Sequence, residues 1–326
     1  RAWSTLYEKS KTGRRAIGLK RSADQMEAAD GSLVKEESKS EVGTPEPAPY
    51  ITILEALSAS GLRALRYGHE IPRVKSVVAN DLLEDAVEAI NKNITFNGLE
   101  NVVVSNKADA IHYMSSGQNK FHVIDLDPYG TATPFIDGAI QSIQDDGLLL
   151  VTCTDAGVLA GSGYPEKCFA LYGGHNFGNT YVSGEANHEA GLRLMLHMIA
   201  TQAAKYKKAI EPLLCLSIDF YMRCFIRVTT SPQAVKRLAS KTMLTYHCLG
   251  CGNKLSQFFG RCEPKIAKVN DPKTSNKSSD ELKKPSKPSK VSPDHFLISS
   301  GPPVGTHCNY CFSTHHLAGP MWGGLL

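Results

Sequence analysis

The chain has 326 residues, of which 42% are hydrophobic and 21% charged, a composition typical of a globular protein with room for one large domain and a smaller appendage. No run approaches the roughly 20 apolar residues that span a bilayer, which argues against a membrane role. The net charge of +4 is uneven, because residues 232–326 hold 13 Lys and Arg against 5 Asp and Glu. This basic surplus suits nucleic-acid contact, although a solvated surface explains most such surpluses.

Two segments are too polar to predict a packed core. Residues 8–48 and 264–294 are charged and rich in Ser, Gly or Pro, which is typical of mobile segments. In the second, the basic run Lys283–Lys290 is a candidate nuclear address or phosphate-contacting arm, with a plain linker as the simpler interpretation. The chain begins with Arg1 and lacks an apolar signal core near its start, so we expect a fragment or incomplete gene model of an intracellular protein.

Between these segments, short apolar runs alternate with helical patterns. The runs are β-branched or leucine-rich and predict buried strands at 50–54, 76–80, 102–106, 121–125 and 147–153. Two stripes at helical spacing lie between them, one over 86–94 that stops at Gly98 and one over 135–143 that stops at Gly147. This alternation predicts a doubly wound parallel sheet.

The next part of the chain predicts an antiparallel edge for this sheet. A long helix, roughly 186–208, precedes two apolar runs in direct succession, 212–219 and 220–228. Two strands joined this closely form a hairpin more naturally than another crossover, which needs a dozen or more residues.

Polar residues follow the predicted strands, where sheets of this type bind their ligands. Glu55 follows the first strand and precedes a small-residue turn that contains Gly61 and ends in Arg63. Asp81 follows the second strand, 20 residues beyond Gly61, where a carboxylate accepts hydrogen bonds from the ribose of a nucleotide-like cofactor. The turn has one glycine and no phosphate cradle, which favours a cofactor without phosphates, such as S-adenosylmethionine.

The third strand is followed by Asp109 and Ala110. Their carboxylate and backbone N–H are candidates to bind the exocyclic amine and a ring nitrogen of adenine. For any single aspartate a helix N-cap is the alternative. Carboxylates on four successive strand ends are harder to explain as four caps: Glu55, Asp81, Asp109 and Asp127.

The fourth strand ends in Asp127-Pro128-Tyr129, which resembles the Asp/Asn-Pro-Pro-Tyr/Phe sequence of methyltransferases that modify exocyclic amines. Such an amine is a poor nucleophile because its lone pair is delocalised, so the site must hold its N–H bonds with acceptors. Asp127 and the Pro128 carbonyl are the candidate acceptors. Tyr129 is a candidate face for stacking a base that has left its helix, with simple packing as the alternative.

Two C-x-x-C pairs indicate a tetrahedral Zn²⁺ site, because each pair chelates with two thiolates. The four candidate ligands are Cys248, Cys251, Cys308 and Cys311. A redox pair or free buried thiols are the alternatives, and four nearby side chains are substitute ligands: Cys262, His307, His315 and His316.

Several ordered motifs together resemble the tRNA guanine-26 N2-dimethyltransferase family, including its animal paralogue. They cover roughly residues 50–326 in blocks: LEALSASGLRALRY, VVANDLLEDAVEAINKNITFNG, ADA, FHVIDLDPYGTATPFIDGAIQ, GLLLVTCTDAGVLAG, SIDFYMRCFIRV and GPMWGG.

This resemblance implies one or two methyl transfers from S-adenosylmethionine to the exocyclic N2 of a guanosine at the junction of the D and anticodon stems of tRNA. It places the catalytic aspartate on Asp127 and the cofactor-binding residues on Arg63, Asp81, Asp109 and Ala110. It also implies a structural zinc in or beside a tRNA-contacting region. We expect a location in the nucleus, with the cytoplasm and the mitochondrion as alternatives, and no obligate protein partner.

Taken together, these patterns and the resemblance predict an α/β fold. After a polar segment at 1–49, we expect a Rossmann-like class I S-adenosylmethionine-dependent methyltransferase domain at 50–231. A basic, zinc-binding, tRNA-contacting region follows at 232–326. Residues 1–49 lack the family's Asn-Arg-Asp-Leu-like motif, and the chain stops before much of the family's C-terminal tRNA-binding domain. Two alternatives stay open: a catalytically weak or inactive tRNA-binding paralogue, and an amino-methyltransferase that acts on another nucleic acid.

Overall fold

The computed structural model describes residues 48–263 and 294–326, except residues 119, 162, 179–183 and 185. The two polar segments of the sequence, including the run Lys283–Lys290, lie almost wholly outside the described residues.

The described chain divides into two compact units. The first runs to Asp155 and resumes over Lys208–Thr230, whereas the second combines Ala156–Lys207 with Ser231–Leu326. Residues 156–207 therefore group with the C-terminal residues, although the sequence placed them with the methyltransferase domain. The division at residue 231 stays a prediction about domains.

The first unit is built on a seven-stranded sheet of order β3-β2-β1-β4-β5-β7-β6. Its strands are β1 (Ile51–Glu55), β2 (Val74–Asp81), β3 (Val103–Lys107), β4 (Phe121–Leu126), β5 (Ile143–Cys153), β6 (Lys208–Ile218) and β7 (Tyr221–Thr230). The first five are parallel, and β7 is antiparallel to both of its neighbours. The predicted parallel sheet with an antiparallel hairpin at its edge is confirmed.

Helices connect the parallel strands. They are α1 (Leu62–Glu70), α2 (Glu84–Asn97), α3 (Ala110–Ser115) and α4 (Thr133–Ser142). The predicted stripe on α2 is buried at Ile90 and Ile94, and the helix ends at Gly98, whose φ of 64° is a left-handed C-cap. These side chains pack with those of β1 and β2 in one hydrophobic cluster.

The predicted end of α4 is wrong. The stripe that was read as a helix up to Gly147 stops at Ser142, and Ile143 begins β5. Ile143 pairs with Phe121 of β4 and is 2% exposed, so burial in the sheet explains its apolar character. An apolar residue at helical spacing looks the same when it opens the following strand.

The hairpin also differs from its prediction in detail. Strand β6 begins at Lys208, and the turn into β7 is formed by Asp219, whose φ is 41°, and Phe220. The long helix that was predicted to reach residue 208 ends at Lys205, because the chain reverses at Lys207, where φ is 59°.

The second unit combines this long helix with two small antiparallel sheets of orders β12-β8-β9 and β10-β11. Its helices are α5 (Ala156–Leu159), α6 (Pro165–Tyr172), α7 (Ala186–Lys205) and α8 (Pro232–Val235), with a 3-10 turn at Leu238–Lys241. Its strands are β8 (Thr242–Cys248), β9 (Lys254–Phe258), β10 (Gly260–Glu263), β11 (His295–Ile298) and β12 (His315–Trp322). Arg193 of α7 donates from Nη1 to the carbonyls of Trp322 (2.8 Å) and Gly324 (3.0 Å), which ties the helix to the end of β12.

Among the described residues, no helix is long and apolar enough to cross a membrane.

Candidate active site

A cleft of about 530 Å³ opens at the carboxyl ends of β1, β2 and β4, within the size range of small-molecule sites. Five of the predicted site residues line it: Arg63, Asp81, Asp127, Pro128 and Tyr129. Glu55, Ser58 and Ala59 lie on the same wall. The strand ends therefore bring these side chains together as the sheet topology predicts.

The turn between β1 and α1 depends on Gly61. Its φ of 76° is left-handed, and a Cβ there would lie 3.2 Å from a side-chain carbon of Ile90. A glycine is needed at this point because other residues would meet both backbone strain and a crowded helix α2. The turn returns the chain so that Arg63 faces the cleft one residue into α1.

Glu55 anchors this turn from inside the protein. The side chain is almost fully buried and accepts hydrogen bonds from the hydroxyl of Ser58, from Arg63 Nε (2.9 Å) and from the backbone N–H of Ala64 (3.0 Å). Burial raises the pKa of this carboxyl group, while the hydrogen bonds from Ser58 and Arg63 lower it. The sequence singled out Glu55 as a strand-end carboxylate but gave it no role.

Arg63 joins three carboxylates. In addition to Glu55, it forms an ion pair through Nη1 with Asp127, and its Nε lies 3.6 Å from Asp125. Burial alone would lower the pKa of the guanidinium, but the neighbouring charges of Asp125 and Glu55 and the contact with Asp127 raise it. Arg63 is thus a permanent cation at the centre of the cleft wall.

Asp125, near the end of β4, is firmly held in the structure. It is fully buried, accepts hydrogen bonds from Arg223 Nη2 at 3.0 and 2.9 Å, and accepts another from the hydroxyl of Tyr67. Burial raises the pKa of Tyr67, and the charge of Asp125 raises it further. Sequence reasoning missed Arg223 and Tyr67; the signal for Arg223 was an arginine within an apolar strand.

Asp81 fixes the other side of the turn. Its two carboxylate oxygens accept hydrogen bonds from the backbone N–H of Ala59 (2.8 Å) and of Leu83 (3.1 Å). Each carboxylate oxygen has two lone pairs, so both retain capacity to accept a hydroxyl. Asp81 lines the cleft, and its ribose-binding role stays a prediction.

Asn80 joins the ends of three strands, and sequence reasoning missed it. Its buried amide donates to the carbonyls of Ala56 (2.9 Å) and Ala108 (3.0 Å), which lie on the loops after β1 and β3. An asparagine at the end of an apolar strand was the available signal.

Asp109 is an N-cap in the structure. Its carboxylate accepts a hydrogen bond from the backbone N–H of His112 (3.0 Å) at the start of α3. Ala110 is buried, and neither residue occurs among the described residues that line the cleft. The backbone N–H of Ala108 donates to the carbonyl of Asp81 (3.1 Å), so Asp109 lies at the same edge of the sheet.

The three residues after β4 differ in their exposure. Asp127 is about one-quarter exposed, Pro128 is buried, and Tyr129 is fully exposed. The buried proline stiffens the backbone between a carboxylate that faces the cleft and a ring that is open to stacking. Simple packing does not account for Tyr129, because its exposed fraction is 101%.

In the second unit, the two C-x-x-C pairs meet. The sulfur atoms of Cys248, Cys251, Cys308 and Cys311 all lie within 4.8 Å of one another. Sγ of Cys248 is 3.3 Å from that of Cys311, and Sγ of Cys251 is 3.7 Å from that of Cys308. A zinc ion with Zn–S bonds of about 2.3 Å requires sulfur atoms about 3.8 Å apart. The Cys251–Cys308 distance matches this value and the Cys248–Cys311 distance is shorter, so the four sulfur atoms are close enough together to share one ion.

The two cysteine loops share one backbone pattern. In each loop the first cysteine donates its N–H to the carbonyl five residues later, and its own carbonyl accepts from the N–H four residues later. Cys248 thus pairs with Asn253 and Gly252, and Cys308 pairs with Ser313 and Phe312. The residue after the second cysteine is left-handed in both, with φ of 75° at Gly252 and 62° at Phe312.

The Cys308–Cys311 loop also favours thiolates. The hydroxyl and backbone N–H of Ser313 lower the pKa of the Cys311 thiol to about 6. The backbone N–H groups of Tyr310 and Cys311 lower that of Cys308. Thiolates are the form that binds metal.

Within the described residues, a doubly wound sheet with a carboxylate-lined cleft at its strand ends and no phosphate cradle is an arrangement typical of α/β proteins that bind a cofactor. Comparison with family models goes further. Residues 5–326 match the model of N2,N2-dimethylguanosine tRNA methyltransferase, and the chain belongs to this family. The predicted family resemblance is confirmed.

Individual relatives agree. The chain is 49% identical over its whole length to the tRNA (guanine(26)-N(2))-dimethyltransferase, mitochondrial, of Saccharomyces cerevisiae, of which it covers 55%. It is 47% identical over 84% of its length to the tRNA (guanine(26)-N(2))-dimethyltransferase of Schizosaccharomyces pombe, of which it covers 45%. The chain therefore spans about half the length of these curated relatives.

One solved structure supports the fold. The chain is similar to Trm1 from Pyrococcus horikoshii in complex with S-adenosyl-L-methionine, with a TM-score of 0.59 and 30% identity over 64% of this chain and 58% of that chain.

Proposed function

We propose that the protein transfers one or two methyl groups from S-adenosylmethionine to the exocyclic N2 of guanosine 26 in tRNA. The observation that carries this proposal is the arrangement of Asp127, Arg63 and Asp81 around one cleft at the strand ends. Membership of the family and the names of the relatives support the same reaction and substrate.

The donor set suits the cofactor. Asp81 would accept hydrogen bonds from the ribose hydroxyls, and the free N–H groups of Arg63 would hold the carboxylate of the methionine end. For the adenine we keep the predicted pair of Asp109 and the N–H of Ala110, which the position of Asp109 beside the end of β2 supports. When bound, S-adenosylmethionine supplies a methyl group that is bonded to a positively charged sulfonium sulfur.

The charged groups in the cleft wall and directly behind it favour such a cation. Three carboxylates, Glu55, Asp125 and Asp127, face two guanidinium groups, Arg63 and Arg223. The three carboxyl groups outnumber the two guanidinium groups in a partly desolvated site, where charges interact more strongly than in water.

Asp127 is the residue we assign to the reacting amine. With the Pro128 carbonyl it accepts the two N–H bonds of the guanine amine, which turns the nitrogen lone pair toward the methyl group. S-adenosylmethionine would supply the methyl group and take the electron pair of the broken S–C bond, and Asp127 would take the proton that the amine loses and pass it to solvent. Tyr129 provides the face on which the extruded base stacks.

A structural zinc ion held by the four cysteines completes the proposal. Their mutual distances and the matched loops support it, and the ion would join two loops that are 57 to 63 residues apart in sequence. For tRNA contact we keep the predicted basic region that contains them. For location we keep the nucleus as the first prediction; the S. cerevisiae relative is named mitochondrial.

The test uses two tRNA transcripts that differ in one amine. Purified protein is incubated with labelled S-adenosylmethionine and a tRNA that carries guanosine or inosine at position 26, and the products are digested to nucleosides. Inosine lacks the exocyclic amine, so we expect label in N2-methylguanosine and N2,N2-dimethylguanosine from the first tRNA and none from the second.

Absence of label from the guanosine tRNA would overturn the proposal. If that tRNA still binds, the protein is an inactive tRNA-binding member of the family. If label appears in ribosomal RNA or DNA instead, the substrate is another nucleic acid.

A further inference from the structure

The guanidinium of Arg63 is shared between the two halves of the proposed reaction site. Its Nε donates to Glu55 (2.9 Å) and its Nη1 contacts Asp127. Among the described residues, no side chain or carbonyl accepts a hydrogen bond from its Nη2. Arg63 is about one-third exposed and lines the cleft in which we place the cofactor, so this nitrogen is available to a ligand there.

Of the three carboxylates beside Arg63, Asp127 is the one whose contact with the guanidinium is most easily displaced. Glu55 is buried with three donors, and Asp125 is buried with Arg223 and Tyr67 as partners. Asp127 is part-exposed, and within the described part of the chain Arg63 is its hydrogen-bond partner. A competing anion would therefore displace or weaken the contact with Asp127 first.

An incoming carboxylate binds a guanidinium best through two parallel N–H bonds. On Arg63 the available pair of nitrogens is Nη1 and Nη2, and Nη1 is the atom that contacts Asp127. A carboxylate on this edge therefore competes with Asp127 for Nη1. Even where it does not displace Asp127, its negative charge weakens the attraction between the Arg63 guanidinium and the Asp127 carboxylate.

We propose that Arg63 couples cofactor binding to base binding: the carboxylate of the bound cofactor releases Asp127 from Arg63, and Asp127 then accepts the N–H bonds of the target amine. This inference rests on the proposed function and adds an order of assembly to it. Because coupling is reciprocal, the bound base strengthens cofactor binding by the same factor. Without cofactor, the Asp127 carboxylate stays paired with Arg63, so the site binds the amine weakly.

The test measures tRNA affinity rather than methylation. Dissociation constants are determined with no cofactor, with S-adenosylhomocysteine, which keeps the carboxylate but cannot react, and with methylthioadenosine, which lacks the amino-carboxylate end. We expect S-adenosylhomocysteine to tighten binding of the guanosine-26 tRNA by about fivefold or more, the lower range of measured couplings. Methylthioadenosine should leave the affinity unchanged within twofold.

Two controls locate the coupling. The inosine-26 tRNA lacks the amine, so its affinity should not respond to S-adenosylhomocysteine. In Asp127→Asn the neutral amide forms no ion pair with Arg63, so the ratio of the tRNA dissociation constants without and with S-adenosylhomocysteine should fall to near one. Glu100→Gln changes an exposed residue and should keep the ratio of the unmodified protein. Circular dichroism and S-adenosylhomocysteine binding check that each variant is folded.

Equal tightening by the two nucleosides, or by the two tRNAs, would overturn the coupling while leaving the proposed methylation intact. Unchanged tRNA affinity in the presence of bound S-adenosylhomocysteine would also overturn it. Failure to bind S-adenosylhomocysteine at all would overturn the proposed function and the coupling together.

Discussion

The cleft of the first unit and the cysteine cluster of the second solve the problem of concentrated charge in opposite ways. In the cleft, carboxylates and guanidinium groups from four elements pair with one another, so the protein supplies both signs. In the cluster, four sulfur atoms converge within 4.8 Å and offer one kind of ligand to a cation from outside. The charged groups of the cleft pair with one another and are positioned by the fold. The cysteine cluster needs a cation from outside, and binding of that cation helps to stabilise the fold.

The largest expected effect lies in the cysteine cluster. Replacing Cys251 by Ala removes one ligand, so bound zinc should fall from one per chain toward zero, and unfolding of the second unit should become easier by about 5 kcal/mol or more, because metal binding energy is folding energy. Metal analysis and thermal unfolding measure these effects. The affinity for S-adenosylhomocysteine should stay within twofold, since the charged groups of the cleft pair with one another and need no metal ion.

The matched control is Cys262→Ala, a cysteine of the same unit outside the cluster. It should retain zinc and stability. One zinc per chain in Cys251→Ala would contradict the assignment of the ligands.

The next effect tests the internal pairing of the cleft. Arg223→Met leaves the carboxylate of Asp125 buried without its bidentate partner, which should cost about 3–5 kcal/mol of the free energy of unfolding. Denaturant unfolding measures this cost. Zinc content should not change.

A second substitution distinguishes lost charge pairing from lost packing. In Arg223→Met with Asp125→Asn the buried charge is gone, so much of the stability should return. Equal destabilisation in the single and double variants would mean that Arg223 acts by packing.

Asp127→Asn tests the reacting end of the cleft. It should reduce methyl transfer by about 10²- to 10³-fold, equivalent to about 3–4 kcal/mol of activation free energy, because the acceptor that orients the amine loses its charge. Single-turnover kinetics measure the rate, and calorimetry should show a cofactor affinity that is unchanged or slightly tighter. Markedly weaker cofactor binding would assign Asp127 to the cofactor instead.

The smallest effect concerns pH, because a rising pH should stabilise both units, each through a different group. Burial lowers the pKa of Lys208 in β6 to about 8, and Lys120 lowers it further, against a raising effect of Asp145. Between pH 8 and the ordinary lysine pKa of 10.5, the unfolded chain binds more protons, so the free energy of unfolding should rise with pH. Because water screens this half-buried group, we expect about 1–2 kcal/mol.

Lys208→Met should lose this rise, which pH-dependent urea unfolding detects. Its Nζ donates to the carbonyl of Ile143 at 2.9 Å, so a general loss of stability is expected as well, but the slope with pH reports the titration. The cysteine cluster should lose metal as the pH falls, because protons compete for thiolates, so its stability also rises with pH but over a lower range. A rise that persists in the variant would assign the titration to another group.

Much of the fold and part of the site could be predicted from local patterns. The five parallel strands, α2 with its cap at Gly98 and the hairpin edge follow from periodicity and turn residues, and the structure has all of them. The boundary at Ile143 failed because an apolar residue at helical spacing carries no sign of whether the helix or the next strand buries it.

Pairing between distant elements could not be predicted in the same way. Asp125 and Arg223 are separated by 98 residues, and no local pattern indicates that they pair. Asp109 had two interpretations in the sequence; the structure shows the N-cap, and the cofactor role stays a prediction.

The sequence by itself determined the elements, the placing of carboxylates at the strand ends and the chelating spacing of the cysteines, because each depends on residues that are neighbours along the chain. The tertiary structure alone decided which carboxylate meets which guanidinium. Strand order brings β7 beside β5 and directs Arg223 to Asp125, while the turn at Gly61 directs Arg63 to Asp127. Charges separated by up to 98 residues pair according to where the sheet places them, and that position is a property of the whole fold.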